Sequence, residues 1–299
     1  MKKIKFSLII PVAPWRDAEI VNSIKELDFP KNNYEIIIQK GKNPSDNRNI
    51  GVKKSKGEIL VFLDDDAIIS KDYLKKLSKF LKKYPKIDII GGPQLTPKDD
   101  RFFAKISGIA LMSNFGAFKV NKRYKKGELN FNAGETELTS ANLCVKKKVF
   151  EKIDGFNINM YPGEDPEFIF RAKNFGFKVA YNPEMIIYHR RRPNLLSFFG
   201  QFFKYGLVRP KRNKILKDSK LFFMIPMFFS LYILFLCILI IINKIFLIPL
   251  EIYLILSLIF SAYDSIKHKN IIAFFILPFL YLVIHLSYGI GMIIGYIKR

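Results

Sequence analysis

The hydrophobic and polar positions of this chain follow two regimes. In the first two thirds, short apolar runs alternate with segments of mixed polarity; in the last third, long apolar stretches follow one another almost without a break. Within the first regime, 5–12, 34–39, 58–63 and 87–90 are apolar runs rich in Ile, Val and Leu. Such runs form strands buried on both faces of a parallel sheet. Between them, 17–27 has helical spacing, and 71–84 carries apolar residues at 74, 77, 80 and 81, the pattern of an amphipathic helix. Alternating strand and helix predicts an α/β fold, an open and mostly parallel sheet whose ligand binds at the carboxyl ends of the strands.

In the second regime, 221–242 carries no charge, 245–263 only Glu251, and 271–297 no fixed charge, with His285 inside it. A helix needs ~20 apolar residues to cross the hydrocarbon core. Three transmembrane helices are therefore expected at 221–242, 245–263 and 271–297, the first two joined by a tight hairpin at Asn243 and Lys244. Pro226, Pro249 and Pro278 fall inside these segments and predict kinks. Glu251 and His285 each lie ~10 Å from the outer end of their helix at ~1.5 Å per residue, and are expected to face each other. Ahead of the spans, Leu195, Leu196, Phe198, Phe199, Phe202, Phe203 and Leu207 interleave with Gln201, Lys204 and Arg209. This pattern predicts an amphipathic helix lying in the membrane interface. The expected organisation is a soluble α/β domain at 1–193, the interfacial helix and a basic linker at 194–220, and a membrane region at 221–299.

Charge sharpens this division. The 299 residues include 49 Lys or Arg and 26 Asp or Glu, a net charge of +23, and only five of those cations and two of those acids follow residue 220. Arg209, Lys211, Arg212, Lys214, Lys217 and Lys220 precede the first span, and Lys267, His268 and Lys269 precede the third. The positive-inside rule puts both groups, and hence the soluble domain, on the cytoplasmic side of the cell membrane, with the short hairpin and the C-terminus outside. Anionic membrane lipid is the expected counterpart of the basic linker, at ~1 kcal/mol per cation near the surface. Nucleic acid would suit the charge as well, but no nucleic-acid recognition motif is present and it is not expected as a partner. Two cysteines, Cys144 and Cys237, exclude a disulfide scaffold and a multi-cysteine metal site. Lys2, Lys3 and Lys5 ahead of an apolar run resemble a signal peptide, but Pro11 and the charges at Arg16, Asp17 and Glu19 favour a first strand.

Four groups of residues carry candidate chemistry. Asp64, Asp65 and Asp66 directly follow the run 58–63, at the predicted carboxyl end of a strand. Two carboxylates about 5 Å apart repel by roughly 3 kcal/mol at an effective dielectric near 20, and a hard divalent cation removes that repulsion. The alternative is a solvated turn before a helix capped near Ser70. Gly163-Glu164-Asp165-Pro166 precedes a helical pattern. Asp165 then reads either as an N-cap with proline at the first helical position or as a general base held at a helix start. His189, Arg190, Arg191 and Arg192 follow the apolar run 185–188 and suit phosphate or anionic lipid; His189 is a further candidate metal ligand. Gln201-Phe202-Phe203-Lys204-Tyr205 lies on the interfacial helix.

In order along the chain, these motifs resemble the membrane-anchored family 2 glycosyltransferases, whose catalytic domain has the glycosyltransferase A-type fold. The resemblance covers residues 4 to about 210. The run 6–12 is similar to the family's opening strand, with Pro11 at its end. Asn47-Arg48-Asn49-Ile50-Gly51 and then 57–66 are similar to Arg-Asn-x-Gly followed by Gly-Glu-Ile-Leu-x-Phe-Leu-Asp-x-Asp. Residues 140–156 resemble the segment ending in Gly-Gly-Phe, with Asp154 in place of the first Gly, and 163–171 the Glu-Asp block with its downstream Arg. The resemblance implies Asp64 near the nucleotide, Asp65 in the variable place between, and Asp66 on a divalent metal, Mg or Mn. It implies Asp165 as catalytic base with Glu164 beside it, and diphosphate contacts from Arg48 and Arg190. Gln201, Lys204 and Tyr205 stand where the family has Gln-x-x-Arg-Trp on the acceptor side. The second strand usually ends in an Asp that contacts the base; here Gln39 and Lys40 stand there, leaving Gln39, Asp46 or Asn47 for that contact.

The implied reaction is inverting, metal-dependent transfer of a sugar from a nucleotide-diphosphate sugar. A polyprenyl phosphate is already ionised near neutral pH, with a second pKa of ~6, and needs no base, whereas a sugar hydroxyl does. The Glu-Asp block therefore favours the hydroxyl of a lipid-linked saccharide acceptor. A polyprenyl-phosphate sugar synthase and a catalytically inactive partner subunit are the alternatives, the latter supported by the missing acid at the second strand.

Overall fold

The computed structural model describes residues 4–216 and 220–298; Lys2, Lys3 and Lys217 lie outside the described residues. In chain order the elements are β1 (Phe6–Val12), α1 (Ile20–Lys25), β2 (Tyr34–Lys40), α2 (Pro44–Lys54), β3 (Ile59–Leu63), β4 (Ala67–Ile69) and α3 (Tyr73–Lys83). They continue with β5 (Ile89–Gly91), β6 (Gln94–Leu95), α4 (Phe102–Met112), β7 (Asn142–Lys146), α5 (Lys147–Lys152), α6 (Glu164–Asn174), β8 (Val179–Tyr181) and β9 (Ile187–His189). Four longer helices close the chain: α7 (Leu195–Leu216), α8 (Ile225–Ile242), α9 (Ile248–Lys267) and α10 (Ile271–Ile297). The chain divides into two compact units, Met1–Pro97 with Lys122–Arg190 and Lys98–Asn121 with Arg191–Arg299. The segment Lys98–Asn121 thus groups with the C-terminal helices rather than with its neighbours in sequence.

The first unit is built on a sheet of order β2-β1-β3-β7-β5-β8. β1 pairs in parallel with β2 from Phe6↔Tyr34 to Val12↔Lys40, and in parallel with β3. β7 runs against both β3 and β5, and β5 is parallel to β8. The sheet is therefore mostly parallel, as the apolar runs predict. Alternate residues of each strand feed two cores. Leu8, Ile10, Val61 and Leu63 pack with Ile20, Ile24, Leu74 and Leu77 on one face; Ile9, Leu60, Phe62 and Val145 pack with Phe150, Phe156 and Phe168 on the other. Each such side chain contributes ~1.5–3 kcal/mol by burial. A small second sheet of order β4-β9-β6 sits at the end of β3, with Ala67 opposite His189.

α2 has no counterpart in the apolar pattern. Its buried residues are Ser45, Asn47, Arg48, Gly51 and Val52, so it presents no apolar stripe. It is specified by its start: Asn43 accepts from the Ser45 and Asp46 backbone N–H groups, and Pro44 takes the first helical position. α3 begins after Asp72 rather than at a Ser70 cap; the Ser70 hydroxyl donates to the Asp72 carboxylate instead.

In the second unit, Leu221–Ile242, Lys244–Lys267 and Ile271–Ile297 are long and apolar enough to cross a membrane. Pro226 and Pro249 occupy the first turns of α8 and α9, where proline's missing N–H costs nothing; only Pro278 is interior. The expected kinks therefore reduce to one position. α7 packs closely on α10: a Cβ on Gly206 would lie 2.0 Å from the Tyr288 carbonyl oxygen, and one on Gly291 2.2 Å from that of Phe203. Small residues allow this backbone approach. Glu251 and His285 do not meet. Glu251 is exposed in the first turn of α9, whereas His285 Nδ1 pairs with Tyr253 Oη at 2.9 Å and Nε2 with the Phe115 carbonyl at 3.0 Å. Partners on α9 and on the segment after α4 satisfy the imidazole, which the spacing of two ionisable groups did not show.

Candidate active site

The carboxyl end of β3 and the register of its neighbours create the site. Asp64, Asp65 and Asp66 leave β3 and lead into β4, and the Ala67↔His189 pairing brings the end of β9 beside them. His189 Nε2 lies 2.9 Å from Asp66 Oδ1 and 3.4 Å from Asp64 Oδ2. One ligand atom from each of Asp64, Asp66 and His189 falls within 4.8 Å of the others. Two carboxylate oxygens and an imidazole nitrogen converging this closely fit the donor set of a divalent cation. Asp65 is buried, is not one of these three ligands, and pairs with Arg16 at 3.1 Å; Arg16 also donates to Asp66 at 2.9 Å.

The second acidic motif arrives from the opposite side. Arg48 on α2, with its side chain 4% exposed, donates to Asp64 Oδ1 at 2.9 Å and to Glu164 Oε1 at 3.0 Å. One buried guanidinium thereby ties the acidic end of β3 to the first turn of α6. Glu164 and Asp165 are the first two residues of α6 and Gly163 is its cap, so Asp165 is not the N-cap and Pro166 not the first position. Carboxylates in a first turn are favoured by the helix dipole. Asp165 Oδ1 is buried with no hydrogen-bond partner among the described residues.

Two side chains, Asn49 and Arg171, clamp the turn at 153–156 that precedes α6. Asn49 holds Phe156 at both its N–H (2.9 Å) and its carbonyl (2.8 Å). Arg171 pairs with Glu167 and donates to the Ile153 and Gly155 carbonyls. Asp154 and Gly155 adopt φ of 57° and 65°. The left-handed region is open to glycine and tolerable for Asp, which explains why Asp154 can stand where the related motif has glycine.

The charges respond to this packing. Burial raises Asp64, but the His189 hydrogen bond and the Arg48 charge outweigh it and hold the carboxyl below its ordinary range. Asp66 is held well below that range by His189 and Arg16, against burial. Burial and the Asp66 charge push Asp65 up to about 6, with Arg16 opposing. Burial would lower His189, but the Asp66 charge and the hydrogen bonds to Asp64 and Asp66 push it up to about 9. Burial and then the Asp165 charge raise Glu164, with Arg48 opposing.

The profile of the family described as Glycosyl transferase family group 2 matches residues 59–294, most of the chain and both acidic motifs. The chain belongs to this glycosyltransferase family. Among named relatives, Glycosyltransferase AglE of Haloferax volcanii is 24% identical over 66% of this chain and 69% of its own length. The O-antigen chain rhamnosyltransferase RfbN of Salmonella typhimurium is 26% identical over 61% of this chain and 57% of its own. Of solved structures, the mannosyltransferase PcManGT of Pyrobaculum calidifontis, in complex with GDP-Man and Mn2+, aligns with TM-score 0.49 at 15% identity, over 73% of this chain and 66% of that one. Staphylococcus aureus TarS in complex with UDP aligns with TM-score 0.47 at 16% identity, over 69% of this chain and 65% of that one. The chain thus spans about two thirds of these two solved chains.

Within this glycosyltransferase the other candidate residues are distributed as follows. Pro11 and Gln39 face each other in the β1–β2 register, near the same strand ends. The Gln39 amide is engaged locally, accepting from Lys54 at 2.8 Å and donating to the Lys40 carbonyl at 3.1 Å. Asn47 Nδ2 donates to the Gly41 carbonyl at 2.9 Å, fixing the turn after β2. Arg190 pairs with Glu19 at 3.3 Å. Gln201, Lys204 and Tyr205 belong to the second unit, on α7, where Gln201 donates to Tyr205 Oη at 3.0 Å and Lys204 is exposed. Arg16 is the site residue the sequence did not reveal: it stands 50 positions before Asp66 in a loop with no periodic pattern.

Proposed function

We propose that this glycosyltransferase moves a sugar, with inversion, from a nucleotide-diphosphate donor to a hydroxyl of a lipid-linked saccharide at the cytoplasmic face of the cell membrane. The observation that carries this reading is Arg48, which holds Asp64 and Glu164 in one site and so joins a cation-binding corner to a candidate base. Asp64, Asp66 and His189 would hold a divalent cation, Mg or Mn. Once bound, the ion supplies positive charge to the departing diphosphate, a Lewis-acid role.

The remaining chemistry falls to the chain. The acceptor oxygen attacks the anomeric carbon as the bond from that carbon to the diphosphate oxygen breaks, and the nucleoside diphosphate leaves with the electron pair. Asp165 takes the hydroxyl proton; its Oδ1 has no hydrogen-bond partner among the described residues, which supports this role. Glu164 is the second acid beside Asp165, and its ion pair with Arg48 offsets part of the repulsion between them. The need for a base supports a saccharide hydroxyl over a bare polyprenyl phosphate, and RfbN, named for O-antigen chain transfer, fits that class. Three long apolar helices and the basic segment before α8 support an integral membrane protein whose catalytic unit faces the cytoplasm. Anionic lipid would neutralise that segment.

The test uses the purified full chain in detergent with a panel of sugar nucleotides. Cation-dependent protection against heating identifies the donor, and transfer is then offered both saccharide-bearing lipid and bare polyprenyl phosphate. Transfer to the saccharide alone is expected. Product formed only on the bare phosphate contradicts the acceptor assignment, and no protection by any sugar nucleotide contradicts the donor assignment.

A further inference from the structure

We propose that the segment after Lys98 is embedded in the bilayer: α4 enters the hydrocarbon, and the chain turns back at 113–116, forming a re-entrant hairpin among the three long helices. Its partner is the acyl-chain region of the membrane.

α4 reads FFAKISGIALM, with Lys105 its one charge. At ~1.5 Å per residue its 11 residues span ~16 Å, about half of the ~30 Å hydrocarbon core, so it enters without crossing. Ala104 and the run from Ile106 to Leu111 are buried. The chain beyond its end is fixed by Phe115, whose ring lies 5.3 Å from Tyr253, 5.3 Å from Phe260, 5.4 Å from Tyr281 and 5.4 Å from His285. These four partners sit at mid-length of Lys244–Lys267 and Ile271–Ile297. Each is at least seven residues, ~10 Å at helical rise, from either end of its segment. Whichever way those helices cross, a ring touching all four lies inside the hydrocarbon.

The backbone gives an independent argument. Residues 113–117 are not helical, and irregular backbone at membrane depth is tolerated only where protein satisfies it. Here it is satisfied. The Phe115 carbonyl pairs with His285 Nε2 at 3.0 Å, and its N–H donates to Ser113 Oγ at 3.1 Å. The Ala117 N–H donates to the Ser113 carbonyl at 3.2 Å. Tyr253 Oη occupies the other His285 nitrogen at 2.9 Å. Water would serve these groups on a surface helix; a dedicated histidine from a long apolar helix is what a turn out of water requires. The turn is also closed by Gly116, where a Cβ would lie 2.3 Å from the Ala110 carbonyl oxygen and 3.0 Å from the Tyr281 ring. On the way out, Phe118 meets Phe222 at 5.6 Å, and the Lys119 ammonium lies 5.3 Å over the Phe222 ring. Lysine at that place can carry its charge to the headgroups along its own stem.

The hairpin is tested on the full chain in vesicles of phosphatidylethanolamine and phosphatidylglycerol. On a Cys237→Ser background, leaving Cys144 buried, a nitroxide is placed in turn at Met112, at Ile255 in mid-α9 and at Lys25 in the first unit. Oxygen and a water-soluble nickel chelate compete for each label. The oxygen-to-nickel ratio at Met112 is expected to match Ile255 and exceed Lys25 several-fold. A ratio at the headgroup or aqueous level overturns the proposal, the first meaning that α4 lies on the surface. Should the Met112 variant fail to fold, Phe115→Trp in a Trp15→Phe background reports the same depth. Stronger quenching by lipids brominated at mid-chain than near the headgroup supports embedding, and the reverse order refutes it.

Discussion

Replacing Arg48 by Met removes the guanidinium between Asp64 and Glu164. The side chain is 4% exposed and that of Glu164 5%, so both charges of this pair are out of water. Removing one partner of a buried pair costs about 3–5 kcal/mol, because the other is left uncompensated. Burial and the Asp165 charge already push Glu164 up to about 8 against the Arg48 charge, so much of it carries its proton at neutral pH and little charge is stranded. A net loss near the lower bound, ~3 kcal/mol at neutral pH, is therefore expected. For a unit of this size that lowers the unfolding midpoint by about 6–12 °C. The assay is circular dichroism of the full chain in detergent, run as a double-mutant cycle with Glu164→Gln. With that carboxyl gone, the double variant is expected to be no less stable than Arg48→Met alone, a coupling of about 2 kcal/mol or more. Additivity to within ~0.5 kcal/mol would mean that the two side chains do not stabilise each other, and the argument for one joined site would fail.

Asp165→Asn should lower turnover by about 100- to 10,000-fold while leaving heat protection by the donor intact; loss of donor protection instead would assign Asp165 to binding. Asp66→Asn should abolish the cation-dependent part of that protection, measured by titrating Mn2+ at fixed sugar nucleotide. His189, held up to about 9 from an ordinary 6.5, contributes stability that is complete below 6.5 and lost as pH rises through about 9. In cation-free buffer the wild-type midpoint should therefore fall more steeply between those values than that of His189→Gln, by up to ~1.4 kcal/mol per pH unit. Parallel curves would show that the imidazole is not held by the two carboxylates. Gly291→Leu should cost about 1–3 kcal/mol by forcing α10 from α7, read as a lower midpoint, and an unchanged midpoint would show that this contact is dispensable.

Local pattern was enough for β1, β2, β3 and β5, for α3 and for the three long apolar helices, because each buries a continuous or periodic run of its own residues. The acid cluster at the end of β3 was equally legible, since three adjacent carboxylates are unusual whatever surrounds them. α2 was not: its buried face is polar, and its amide and guanidinium groups are paid for by partners more than 100 residues away, Phe156 and Glu164. Arg16 was hidden for the same reason. The motif Asn47-Arg48-Asn49 could be seen, but not that Arg48 bridges two acids while Asn49 clamps a turn. In the C-terminal half, hydropathy located the three long apolar helices yet mispaired Glu251 with His285, because hydropathy records position along a helix and not the direction a side chain takes around it. The assignment of Lys98–Asn121 to that half also waited for the fold: an 11-residue, mostly apolar helix with one lysine could pack in either half, and the four partners around Phe115 place it with the C-terminal helices. Sequence determined which segments must leave water; tertiary structure decided which polar groups they meet there, since hydrophobic burial depends on composition and period, whereas a hydrogen bond or ion pair depends on two positions that the chain alone does not bring together.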